Sequence, residues 1–438
     1  MKASTFGLFG TGAHPTVRKW AVWLLRLSIG SLFIASGFAK TIDIWGFVFK
    51  IEEYLSVWEM PEPRSLVLTV AIALAGAELV LGLMLATGSY RRCAVWLMIA
   101  FMTVMLPLTA YIWIKNPVSD CGCFGDMIIL SNSATFWKNV LITAGLLYLA
   151  LTNDKVKGLY HAYSQWILAV GAALYAGALS LTGYSIQPLL DFRSFPVGIP
   201  VITDSDDDEE DDTFEFIYEK EGHEQTFTAD ALPDSTWTFV DRRRLSGHDS
   251  DRTELVVYDE SGENVTDEAI ATEGSQIIIV VPQGERADVS YTYLINELQR
   301  TIEQQGGSLI ELASFSSDDE MSAWKDLSMA TYPIYSAEST VLKELSRGDM
   351  SAVMLVDGHI RWKRTLGSID TEQVAFRSGQ QAPDLSRLLN LPLHKWLLYL
   401  TLGLAGLYII VYAIDRSTLL IKLIEKKRAL KQKHKDKK

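Results

Sequence analysis

The sequence predicts an α-helical membrane bundle of five helices, followed by an α/β domain and one further transmembrane helix. Three observations carry this. First, apolar stretches run from about Trp20 to Ala39, Ser65 to Gly88, Cys93 to Ile114, Phe136 to Leu151, Trp166 to Gly183 and Trp396 to Ile414, close to the ~20 residues that cross ~30 Å of hydrocarbon at ~1.5 Å per residue. Second, Lys and Arg gather in alternate connections. Third, the region after Thr213 reads as short strands and amphipathic helices rather than as apolar runs.

The first stretch follows a polar segment and lacks a small-x-small exit, so it reads as a retained anchor and not as a cleaved signal. The connection from about Thr41 to Arg64 is rich in Trp, Phe and Tyr and is expected at the membrane interface. The fourth stretch is the shortest. Arg18 and Lys19, Arg91 and Arg92, and Lys155 and Lys157 all fall on one side when the helices alternate, as do the nine Lys or Arg set against two acids from Lys422 to Lys438. Basic residues favour the cytoplasmic face, so both termini are expected in the cytoplasm, with the loop around residue 122 and residues 184–394 outside it. That basic tail is expected to meet anionic lipid, and no motif points to nucleic acid.

These readings divide the chain at 17–151 and 160–183 for the five-helix region, 184–212 for a Pro-bearing and acidic linker, 213–378 for the outer domain, 394–414 for the sixth helix and 415–438 for the basic tail. The linker holds eight acids in the nine positions from Asp204 to Asp212, a density that stays solvated. In the outer domain, Phe214–Tyr218, Trp237–Val240 and Glu254–Tyr258 look like strands. Gln276–Val281 reads as a fully buried strand, followed by a helix from Val289 to Gln305, a strand Ser308–Ala313, a helix near Asp318–Leu327, a strand near Tyr332–Tyr335 and a helix Ser339–Ser346. A hairpin of Val353–Val356 and Ile360–Arg364 turns at Asp357-Gly358. That order, over about 274–368, resembles the thioredoxin fold, which carries two cysteines after its first strand and a proline before its hairpin. Here those places read Pro282-Gln283-Gly284-Glu285-Arg286-Ala287 and Met350-Ser351, so the resemblance implies a docking or regulatory module without thiol chemistry.

The chain has three cysteines, too few for a disulfide framework. Cys121 and Cys123 flank Gly122 in the loop between the third and fourth helices, facing an oxidising space where thiols are free to react. Cysteines one residue apart close a disulfide only in a tight turn, which glycine permits, and a strained, exposed disulfide is easily reduced. Three readings stay open: a redox pair, a static staple, and free thiols or a metal ligand, the last disfavoured because no histidine lies near. Cys93 is expected to be buried and inert. Arg26 lies about 10 Å inside the first helix and Glu78 near the middle of the second at ~1.5 Å per residue, and a charge at membrane depth calls for a partner. The expected pair is therefore Arg26 with Glu78. Lys40, at the outer end of the first helix, is expected to anchor at headgroups.

Arg26-Leu27-x-x-Gly30, Gly37-Phe38-x-Lys40, Ala77-Glu78-Leu79-x-Leu81-Gly82 and Cys121-Gly122-Cys123-Phe124-Gly125 together resemble the DoxX and MauE group of bacterial membrane proteins, over about Val17 to Leu151. The resemblance implies a four-helix, redox-associated unit, one branch of which is needed for making methylamine dehydrogenase, a disulfide-rich periplasmic enzyme. The expectation is an inner-membrane protein supporting thiol-disulfide or other redox processes of periplasmic clients, with a quinone as the candidate carrier. The alternative is a non-catalytic scaffold or assembly factor that binds partners through its outer domain.

Overall fold

The computed structural model describes residues 15–60, 63–118, 121–128, 130–202, 213–220, 223–228, 238–246, 253–376 and 381–435. The acidic run Asp204 to Asp212 lies outside them. The chain divides into two units, one of residues up to Phe192 together with those from Leu391, the other Arg193–Asn390.

The first unit is helical: α1 Pro15–Ile42, α2 Ile44–Val57, α3 Arg64–Thr87, α4 Arg91–Lys115, α5 Asn132–Thr152 and α6 Gln165–Ser185. Among the described residues, six helices are long and apolar enough to cross a membrane, α2 not among them and the last helix of the chain included. This is a multi-pass membrane protein. The interfacial connection expected before α3 is itself largely helical. Asp43 caps α2 by accepting from the Gly46 amide at 3.0 Å, and Ile44, Trp45 and Val48 pack on Val67, Ala71 and Ala75 along the first half of α3. Arg64 pairs with Glu52 across the same interface at 3.0 Å.

The helices α1 and α3 approach closely because small residues meet. A Cβ on Gly82 would lie 2.7 Å from the Ile34 nitrogen, and one on Gly37 would collide with the backbone nitrogen of Leu79. Without a hydrophobic drive between helices in lipid, such backbone approach is a main source of association.

In the second unit, β1 Thr213–Lys220, β2 His223–Thr228 and β3 Thr238–Ser246 form an antiparallel sheet in the order β2-β1-β3. The sequence pattern does not predict β2, since His223-Glu224-Gln225-Thr226-Phe227-Thr228 carries little apolar alternation. There follow β4 Val257–Tyr258, α7 Thr266–Ala269, β5 Ser275–Val281, α8 Thr292–Gln304, β6 Ser308–Ala313, α9 Asp318–Ser328, β7 Ile334–Ala337, α10 Ser339–Leu345, β8 Ser351–Val356 and β9 His359–Thr365. After the short turns α11 Thr371–Val374 and α12 Leu385–Leu388, α13 Leu393–Lys435 returns to the helical unit. The stretch expected as a strand from Glu254 keeps only two strand residues, and α8 starts three residues later than expected, behind a 3-10 turn at Val289–Tyr291.

The sheet order is β4-β7-β6-β5-β8-β9, with β5, β6 and β7 parallel and β8 and β9 antiparallel. The strand β5 shows why it is buried on both sides: Ile277, Ile279 and Val281 join the core under α8 and α9, while Ile278 and Val280 join the core under α10. The hairpin turn has positive φ at Asp357 and Gly358, the geometry an Asp-Gly pair favours.

One strand breaks the apolar pattern. Glu311 of β6 is fully buried, accepting the Trp324 indole N–H at 2.6 Å, and burial pushes its carboxyl up to about 7, the indole bond opposing in part. A carboxyl held above its unfolded value binds its proton more tightly in the native state, so its contribution is fully present below the ordinary value of 4.5 and fades as pH rises through 7. Unfolding of this unit, followed by Trp fluorescence in the full-length protein in detergent, should lose roughly 3 kcal/mol of stability between about pH 4.5 and pH 8. Glu311→Gln should flatten that slope. A wild-type slope already flat would show that Glu311 stays ionised.

Candidate functional site

The loop between α4 and α5 is short and pinned at both cysteines. The Tyr54 hydroxyl of α2 donates to the Cys121 carbonyl at 2.8 Å, and the Ser36 hydroxyl of α1 lies 2.6 Å from the Cys123 carbonyl. Between them Gly122 has φ +63°, a left-handed conformation that costs a side-chain-bearing residue ~1 kcal/mol or more, and the Gly125 amide closes the turn on the Gly122 carbonyl at 3.1 Å. The two sulfurs stand 3.2 Å apart as thiols. A disulfide of ~2.05 Å would need them to approach by only about 1 Å.

Directly beneath the loop lies a buried ion pair. Lys40 Nζ is 2.7 Å from Glu78 Oε1 and 2.9 Å from Oε2, both residues 3% exposed. Ser36 Oγ is 2.5 Å from Glu78 Oε2 and receives Lys40 Nζ at 3.3 Å, so one hydroxyl bridges the ion pair to the loop backbone. The Lys40 ammonium also sits 4.9 Å from the Phe47 ring centre.

Two expectations are corrected here. Glu78 is paired with Lys40 and not with Arg26, and Lys40 lies in the protein and not at headgroups. Arg26 is fully buried at the opposite end of the bundle, where it donates to Asn153 Oδ1 at 2.6 Å and to the carbonyls of Asn153 at 3.0 Å and Val156 at 2.7 Å. It satisfies backbone acceptors just beyond the C-terminus of α5, a structural task. Cys93, expected to be buried, is exposed near the start of α4.

The cysteines are also less open than a surface loop implies, and they differ. Cys121 is 7% exposed and packs with Ile112, Val118, Tyr54 and Leu108. Cys123 is half-buried and lines a cavity with Ser36, Lys40, Glu78, Lys138 and apolar residues of α1, α4 and α5. The hydrogen bond shared with Cys123, together with burial, pushes the Cys121 thiol up, with Tyr54 and Lys138 opposing in part. The same shared bond draws Cys123 below the usual thiol range; burial and Glu78 oppose the fall, and Lys138 and Lys40 add to it. Lys138 was not singled out in the sequence. Its position seven residues into α5, with its ammonium 4.6 Å from the Phe124 ring centre, is what brings it to the loop.

The cavity holds about 30 Å³. That is room for one or two waters, whereas an apolar cavity of about 150 Å³ is what accepts a single benzene ring. A quinone ring does not fit this space.

Residues 18–152 match the family model of the methylamine utilisation protein MauE. This stretch takes in Arg26, Lys40, Glu78 and both loop cysteines. Residues 213–245 match a family described as a domain of unknown function. No curated protein and no solved structure matches the chain.

Removing one partner of a buried pair strands the other charge. Lys40→Met should therefore destabilise the bundle by about 3–5 kcal/mol, and Lys40→Met with Glu78→Gln should recover most of that loss, read as thermal unfolding in detergent. Equal damage from the single and double changes would mean the pair is not coupled.

Proposed function

We propose that this MauE-like chain is a multi-pass protein of the bacterial inner membrane whose Cys121 and Cys123 exchange electrons with thiols and disulfides of periplasmic proteins. The observation that carries the reading is the sulfur pair itself: two thiols 3.2 Å apart, set in a glycine turn above a buried Lys40–Glu78 pair. Exchange is balanced as two thiols and a client disulfide giving one Cys121–Cys123 disulfide and two client thiols, or the reverse.

The orientation rests on charge. Arg91 donates to the Val156 carbonyl at 2.7 Å and Arg92 pairs with Asp154, so two basic connections meet at the end of the bundle opposite the cysteine loop. Basic residues favour the cytoplasm, which supports a periplasmic position for the loop. The order β6-β5-β8-β9, parallel then antiparallel, supports a thioredoxin-like reading of the α/β unit. All three cysteines lie at positions 93, 121 and 123, so that unit would bind clients and leave chemistry to the loop. The same fact favours a second reading, a scaffold in which the loop disulfide is a staple. A part in methylamine metabolism rests on the family name alone.

Peptide-resolved labelling of intact cells with a membrane-impermeant maleimide, before and after reduction, tests the proposal. Cys121 and Cys123 should gain label on reduction while Cys93 stays unlabelled. Label reaching the loop only after the cells are opened would reverse the orientation, and thiols that never oxidise would remove the exchange. Replacing both cysteines with serine should shift the redox state of periplasmic clients; an unchanged state at normal protein levels favours the scaffold.

A further inference from the structure

The two sulfurs occupy unlike surroundings, and the difference comes from elements outside their loop. Cys121 is walled by Ile112, Val118, Leu108 and Tyr54, with its carbonyl held by the Tyr54 hydroxyl. Cys123 faces the cavity. The charged groups lining that cavity are Lys40 from α1, Glu78 from α3 and Lys138 from α5, while α4 contributes only Phe101, Met102 and Met105; from α2, Lys50 lies against Gly122 and pairs with Glu53. Glu78 is met by Lys40 at 2.7 Å, and Lys138, carried by a different helix, brings a second cation to the cavity beside a developing thiolate.

Resting on the exchange reading above, we infer that Cys123 is the sulfur that bonds to the client, that Cys121 is the resolving sulfur, and that Lys138 is a positioning residue that holds charge at Cys123. In the reducing direction, the Cys123 thiolate attacks one sulfur of the client disulfide, that S–S bond breaks, and the departing client sulfur takes up a proton. Cys121 then gives up its proton and attacks Cys123 Sγ, breaking the mixed disulfide and releasing the second client thiol. The client gains two electrons and two protons, and the couple becomes a disulfide. Oxidation of a client dithiol passes back through the same mixed disulfide on Cys123.

The experiment uses the full-length protein in detergent, reduced and then freed of reductant. Limiting iodoacetamide is followed peptide by peptide across pH, and oxidised glutathione serves as the model disulfide. Cys123 should be alkylated before Cys121, with its half-maximal rate at a pH below that of an ordinary thiol near 8.5. Lys138→Met should move that midpoint upward and slow labelling at pH 7 by roughly threefold or more, with Lys138→Arg restoring it. A packing role for Lys138 would leave the midpoint in place. Cys121→Ser should accumulate glutathione on residue 123, and Cys123→Ser should accumulate little on residue 121. Disulfide formation with Cys121 alkylated first, or trapped first, would overturn this assignment alone. Cys123 alkylated first in a wild-type protein that never forms the internal disulfide with oxidised glutathione would overturn the exchange reading itself.

Discussion

The Lys40–Glu78 pair is the constraint on which the rest of the bundle depends. Two charges held at 2.7 Å with 3% exposure each carry a desolvation cost that their attraction offsets only in good geometry. That geometry is set by the backbone approach of α1 to α3 at Gly37 and Leu79, within one turn of the charged residues, and by a second approach of Gly30 to Gly82 further along the same helix pair. The packing fixes the pair, and the pair in turn admits a single register for α1 against α3. Ser36 then carries this register to the Cys123 carbonyl, so the loop inherits its position from the helices beneath it.

The same logic explains why two identical side chains two residues apart become chemically different. Neither the loop sequence nor its turn distinguishes Cys121 from Cys123. Cys121 is packed among Ile112, Val118 and Leu108, whereas only Cys123 lines the cavity with Lys40, Glu78 and Lys138; the Lys138 charge reaches both sulfurs, but burial opposes it at Cys121. Thiol reactivity follows thiolate character and access, and here both are delivered by side chains remote in sequence. A loop pinned by hydroxyls from two different helices, Tyr54 and Ser36, keeps the two environments from averaging.

Much of the architecture was legible because burial writes a period into sequence: ~3.6 residues along the helices and 2 along β5, whose alternate residues feed two separate cores. The cysteine loop and the three intramembrane charges were also legible by residue type. Their pairing was not. Counting residues from helix ends assumes that neighbouring helices begin at one level, and α2 breaks that assumption by packing along the first half of α3. Glu78, midway along α3, is thereby brought level with Lys40 near the end of α1, while Arg26 lies against Gly88, just past the other end of α3. Hydropathy gives depth along one helix; only the interhelical contact gives relative depth. Lys138 escaped notice for a related reason, since a lysine in the first turns of a helix is ordinary until the loop beside it is known.

If the couple exchanges electrons as proposed, its poise follows from the same charges. In the dithiol state a Cys123 thiolate and Glu78 face Lys40 and Lys138, two anions against two cations. Forming the disulfide removes one anion and leaves a cation in excess beside a half-buried cavity, where an unbalanced charge is poorly screened. An environment that stabilises the thiolate stabilises the reduced couple, and a couple whose reduced form is stabilised is the stronger oxidant. The buried lysine–glutamate pair alone would be neutral and indifferent to the redox state of the loop. It is the additional cation on α5 that tilts the site toward accepting electrons, so within the exchange reading this couple tends to oxidise thiols and not to reduce disulfides.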